Sequence, residues 1–335
     1  MSKCDLSLRL SRDSRVYRFG ETVEGQLRVR VDERCEVAAC YVALVWRTHG
    51  KGNKVLVETG RRRVFSGHWE PGQELTYPFR FTVPPGPATY HGQYVNLDWA
   101  VTATVDIPWA RDPKVEREIL VTAEPHELYE FGPEYVPPGR ALSSAAVRAK
   151  QQVFGGFAFF CLGAFLAAFV PMAGIVMGVF GVVFAGLGAG LFLAALWSGI
   201  AQKRLGIPEV RIGADAAGPG EAVPVTLSIR PRKDVTLDGI AITLVGEEVA
   251  VSGSGTNKTT HRHTLHESTV QVEPPGRIIP AGELHVVTRE VRLPSDAAPT
   301  FAASDNEVRW ELRVHVAVDQ WPDWRQTFPL TVRPC

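Results

Sequence analysis

The sequence predicts a mainly β protein in which two tandem β-sandwiches flank a two-helix transmembrane hairpin. Three observations carry this expectation. Residues 153–201, VFGGFAFFCLGAFLAAFVPMAGIVMGVFGVVFAGLGAGLFLAALWSGIA, contain no charged side chain. Both flanks consist of alternating, β-branched and aromatic stretches interrupted by Gly-Pro turns. The second flank also repeats the order of the first.

Composition alone hides this organisation. The 335 residues include 36 basic and 36 acidic side chains, so no global charge asks for nucleic acid as a partner. The five cysteines, Cys4, Cys35, Cys40, Cys161 and Cys335, are odd in number and form no disulfide framework. A reducing compartment is therefore expected. The opening MSKCDLSLRLSRDSR lacks the apolar core of a signal peptide.

The first strand-rich region occupies residues 1–125, with QLRVRV (26–31), CYVALVW (40–46), ELTYPFRFTVP (74–84) and WAVTATV (99–105) as its clearest strands. A linker, 126–152, leads to the apolar block at 153–201. A bilayer core of about 30 Å takes roughly 20 helical residues, so the block suits two spans better than one. The expected helices are 153–171 and 175–200, reversing near Val170-Pro171-Met172-Ala173-Gly174. Gly174, Gly178, Gly181, Ala185 and Gly188 line one face of the second helix, and Gly156, Gly163 and Ala167 one face of the first. Such faces permit close helix packing and offer a homodimer contact. Neither span carries an ionisable group, which reads as an anchor rather than a channel. Arg140, Arg148 and Lys150 before the block, with Lys203 and Arg204 after it, place both flanks and both termini on the cytoplasmic side of an inner membrane.

The second strand-rich region, 205–335, repeats the first. At a shift of 200, Gly20-Glu21 falls on Gly220-Glu221, Val23 on Val223, Leu27 on Leu227, Val37 on Leu237, and Val42, Leu44 and Val45 on Ile242, Leu244 and Val245. Farther on, GQEL (72–75) resembles AGEL (281–284), Pro84 matches Pro294, Trp99 matches Trp310, and Trp109 matches Trp321. The glycines suit turns, the glutamates local turn hydrogen bonds, and the tryptophans core positions.

The strings YRFGETVEGQLRVRV, VALVW, YPFRFTVPPG and VNLDWAVTATVDIPWARD in the first half resemble the amino domain of the arrestin superfamily. PGEAVPVTLSIRP, TLDGIAITLVGEE and VRWELRVHVAV in the second half resemble its partner domain in the same order. The resemblance covers about 5–122 and 207–333 and leaves out 126–204. It implies arrestin-like (immunoglobulin-like) sandwiches and scaffold or adaptor work without catalysis. No PPxY ligand for a ubiquitin ligase is present.

Two clusters invite chemistry. His261, His263 and His266 in THRHTLHE could hold Zn²⁺, with Glu267 nearby, or could be exposed polar strand residues. Lys51 and Lys54 in KGNK, with Arg47 and Arg61, Arg62 and Arg63, form a basic hairpin. It suits a solvated edge, anionic lipid headgroups, or an acidic partner. Asp106 and Asp112 read either as paired carboxylates or as an acidic turn. No GxSxG, GxxxxGK[ST], strand-linked GxGxxG or HExxH motif occurs. The sequence thus reads as a membrane-anchored cytoplasmic scaffold without enzyme activity or cofactor, binding a protein partner by strand addition or in the groove between sandwiches. The alternatives are a lipid-sensing or membrane-shaping structural protein and a metal enzyme built on the histidines.

Overall fold

A computed structural model describes residues 3–108, 112–122, 205–206 and 208–334. The described elements are all strands, and they build two sandwiches. In the first, β1 (Cys4–Leu10), β3 (Thr22–Val31) and β6 (Glu74–Thr82) form a three-stranded antiparallel sheet. It faces a larger sheet ordered β2 (Val16–Arg18), β9 (Lys114–Thr122), β8 (Val95–Asp106), β4 (Cys35–Gly50) and β5 (Val55–Trp69), with β7 (Tyr90–His91) on β8. The second sandwich repeats the plan. Its small sheet is β10 (Glu209–Ile212), β12 (Ala222–Ile229) and β16 (His285–Arg292). Its large sheet runs β11 (Ala216–Ala217), β19 (Trp321–Val332), β18 (Asn306–Val318), β13 (Val235–Ser252) and β14 (Thr259–Glu273). β15 (Arg277–Ile279) pairs with β13 and β17 (Phe301–Ala303) with β18.

Local sequence explains the sheets. In β3, Val23, Leu27, Val29 and Val31 enter the core while Gln26, Arg28 and Arg30 face solvent, the period-2 alternation of a one-sided strand. β4 is apolar on successive residues because both its faces are covered. Val42, Leu44 and Trp46 join the main core, while Ala43 and Val45 meet Ala100 in a small separate cluster.

The duplication extends to individual hydrogen bonds. Gly20 and Gly220 take left-handed φ of 80° and 76°, and their N–H groups donate to Val83 O and Pro294 O at 2.8 and 3.0 Å. Glu21 Oε2 accepts the Arg18 N–H at 3.1 Å, as Glu221 Oε2 accepts that of Gly218 at 2.8 Å. Trp99 Nε1–H donates to Pro87 O and Trp310 Nε1–H to Ala298 O, each at 2.8 Å. Both indoles are fully buried. One pairing shifts by a residue. Gly72 and Gly282 have φ of 79° and 80° and donate to Val31 O and Pro231 O. Left-handed geometry therefore sets glycine on glycine, not Gly72 on Ala281 as the letters suggest. Leu284 consequently faces solvent.

The two cores are not separate. The cluster containing Trp99 also includes Ala250, Phe301, Ala303 and Val308 of the second sandwich. Phe301 meets Trp46 edge-on, with centroids 6.2 Å apart.

The transmembrane expectation requires correction. Residues 153–201, where the sequence places the hairpin, lie outside the described residues, as do the linker 126–152, Trp109, Cys161 and Cys335. Among the described residues no helix is long and apolar enough to cross a membrane. Among the described residues the fold is β-sandwich with no helical hairpin, and they do not support the multi-pass inner-membrane topology. Nor do the described residues supply the membrane helices on which two partner expectations relied, lipid headgroups and homodimerisation through glycine-rich helix faces.

Candidate functional site

The β4–β5 hairpin brings the sequence-predicted cations to the seam between the sandwiches. Its turn is fixed from both sides. Lys51 N–H donates to Tyr94 O at 2.9 Å, and Asn53 N–H crosses to Val251 O at 2.8 Å. Asn53 Nδ2 donates to Gly253 O and Asp305 Oδ2, at 2.9 and 2.8 Å. Lys51 and Lys54 extend into solvent from this immobilised tip. On β5 itself, Arg62 and Arg63 are exposed and make no ion pair with any described residue.

The other two cations are engaged. The Arg61 guanidinium lies 3.8 Å above the Tyr41 ring and 3.7 Å from Glu58 Oε2, a cation–π contact at a wet edge. Arg47 is drawn back onto the sheet by Glu116 at 2.5 Å and Glu118 at 3.1 Å, with Asp98 at 3.9 Å. Asp98 also accepts from His49 Nε2 at 2.7 Å and His91 Nε2 at 2.8 Å. Its neighbours therefore neutralise Arg47, and the basic surface reduces to Lys51, Lys54, Arg62 and Arg63 with Arg61 beside them.

β5 is the free edge of its sheet, as β14 is of the other. Both edges carry bulges, in corresponding places opposite Cys40/Tyr41 and Ile240/Ala241, and again opposite Leu44/Val45 and Gly246/Glu247. Bulges and charged side chains protect an edge against further pairing, so side-chain recognition suits β5 better than backbone strand addition.

The histidines do not converge. His261 Nε2 lies 3.1 Å from Ser252 Oγ, with its ring against Tyr94. His263 packs on the same tyrosine at 5.5 Å between centroids. Beyond the bulge, His266 turns to Ser268 Oγ at 3.0 Å and to the Trp310 ring at 6.1 Å. Among the described residues no three His, Cys, Asp or Glu side chains form a metal-holding group. Asp112 Oδ1 accepts the Ile107 N–H at 3.2 Å, which makes it a turn residue. The described thiols are buried, and burial pushes Cys4 up to about 11 and Cys40 up to about 12. Thiols held in that state are poor nucleophiles.

Two polar groupings escaped the sequence reading. Glu247 contacts Arg309 at 2.7 Å, Arg313 at 3.1 Å and Arg262 at 3.3 Å. Its neighbour Glu248 is fully buried and is held by the first sandwich. The signal was the pair of glutamates inside TLVGEEVAV, because in a strand one of two consecutive residues must point inward.

No family model matches the chain, and no curated protein matches it. Among solved structures it is similar to Spo0M, a sporulation control protein from Bacillus subtilis, at 13% identity and a TM-score of 0.32. The alignment covers 98% of this chain and 91% of that one. This likeness is distant and partial. It does not show the arrestin-superfamily membership with an inserted hairpin that the sequence resemblance implies.

Proposed function

We propose that the protein is a non-catalytic binding scaffold that presents the cationic edge of the β4–β5 hairpin to an acidic protein segment. The reading rests on one observation. Lys51, Lys54, Arg62 and Arg63 project into solvent without a carboxylate partner among the described residues, while nearby Arg47 is fully compensated. Opposite charge across a contact steers encounter and selects partners. The tip that carries the lysines is fixed by backbone bonds, which limits the ordering cost of binding. An acidic polypeptide is the complementary ligand for these four cations, which lie on a fixed turn and a strand edge.

The test is fluorescence anisotropy with a labelled oligoglutamate peptide and the full chain. Arg62→Glu/Arg63→Glu is expected to weaken binding roughly tenfold or more and to flatten its salt dependence. Arg9→Glu/Arg28→Glu, on the exposed face of the small sheet, is expected to change little. Equal losses from both double variants would reduce the effect to net charge and remove the hairpin from the account.

A further inference from the structure

The duplicated halves meet through equivalent elements. Lys51 N–H donates to Tyr94 O, as Val251 N–H donates to Asp305 O. At the shift of 200 that relates β4 to β13, Thr48 and Glu248 occupy equivalent positions, and both are fully buried at the seam. On the Thr48 side, Asn306 Nδ2 donates to Thr48 Oγ1 at 2.9 Å and to Asn53 O at 2.7 Å. Asn306 Oδ1 is buried without a partner.

The Glu248 side is different in kind. Oε1 accepts Tyr90 O–H at 2.6 Å and Gln93 N–H at 3.1 Å, while Oε2 accepts Tyr94 N–H at 2.7 Å. All three donors are neutral and belong to the first sandwich. Glu248 makes no ion pair with any described residue. Gly92 leaves the necessary room, since a Cβ there would overlap Glu248 Oε1. Burial and the hydrogen bond to Glu248 together raise the Tyr90 phenol, which keeps it a donor.

We infer that Glu248 seated in the Tyr90–Tyr94 loop is an interdomain latch, which together with the shared apolar core holds the two sandwiches as one block and whose loss loosens the seam without unfolding either. A buried carboxylate without a cation is costly, and three converging donors offset that cost only in the closed arrangement. An opened seam returns the carboxylate and its donors to water, where each is solvated. The orphaned Asn306 oxygen lowers the net stability of the closed state further. The joint therefore fixes geometry more than it adds stability. Glutamine cannot replace the glutamate, because its NH₂ would face one of the donating N–H groups.

The experiment compares the full-length protein with Glu248→Gln and with the milder Tyr90→Phe. Scanning calorimetry is read together with hydrogen exchange. The unaltered protein is expected to unfold in one transition, and Glu248→Gln in two. Below the first transition, the Asn53, Gln93 and Tyr94 amides of Glu248→Gln should exchange roughly tenfold faster, while amides inside β8 and β18 remain protected. Tyr90→Phe should shift the same seam amides in the same direction by less. A single transition with unchanged seam exchange in both variants overturns the latch. Loss of protection throughout β8 and β18 in both also overturns it, by making Glu248 a folding residue of the whole chain.

Discussion

Trp99→Ala and Trp310→Ala are expected to destabilise the chain by about 3–5 kcal/mol each, the range for truncating a large buried aromatic. Each indole is fully buried and donates to a carbonyl twelve residues upstream, Pro87 O or Ala298 O, so alanine also leaves that acceptor unpaired. The two losses should spread differently. Trp99 belongs to the cluster that runs on into Phe301, Ala303 and Val308. Trp310 belongs to a cluster drawn entirely from the second sandwich. Trp99→Ala should therefore increase hydrogen exchange in β17 and the start of β18 as well as in β8. Trp310→Ala should act on the second sandwich first. Urea unfolding with residue-resolved exchange checks both, and confinement of the Trp99→Ala effect to the first sandwich would mean that the shared core is not energetically coupled.

Arg309→Ala is expected to give the next largest loss, approaching the roughly 3–5 kcal/mol that follows removal of one partner from a buried ionic group. Arg309 lies 2.7 Å from Glu247, 3.6 Å from Glu311 and 4.0 Å from Glu307. Removing it leaves three partly buried carboxylates, with Arg313 retained on Glu247 and Glu311 and Arg262 on Glu247. The pH dependence separates two of these carboxylates. Burial pushes the Glu247 carboxyl up, but Arg309 and Arg313 outweigh it and hold it below the usual range. A depressed folded value contributes stability that is complete above the unfolded value and disappears as pH falls through the folded one. Burial raises Glu307 instead, so its ionisation opposes folding as pH rises through the carboxylate range. Glu247→Gln should flatten the loss of stability on acidification, and Glu307→Gln should relieve part of the penalty at neutral pH. Denaturant melts at stepped pH read both slopes.

Strand-forming stretches and the internal repeat were legible because period-2 alternation and turn glycines are local properties. Gly20 and Gly220 bear this out with matching left-handed turns. The pairing of GQEL with AGEL misled by one residue, since letter similarity ignored which glycine must be left-handed. The seam was invisible for a different reason. Tyr90 and Glu248 are 158 residues apart, and nothing in either neighbourhood names the other. Arg47 likewise reads as one more cation until β8 and β9 bring Asp98, Glu116 and Glu118 beside it. The histidines share a strand, but a bulge and three different local partners separate their roles. The apolar block led to a membrane hairpin on hydropathy alone, which the described all-β fold does not include.

The most direct measurement is photo-crosslinking of an oligoglutamate probe to the full-length chain, with the attachment sites mapped by mass spectrometry. Adducts are expected on the 51–54 turn and on β5 around Arg62 and Arg63, suppressed by salt and by Arg62→Glu/Arg63→Glu. Adducts concentrated on the outer face of the β1–β3–β6 sheet, around Arg9 and Arg28, or spread evenly over every exposed cation, would contradict this expectation.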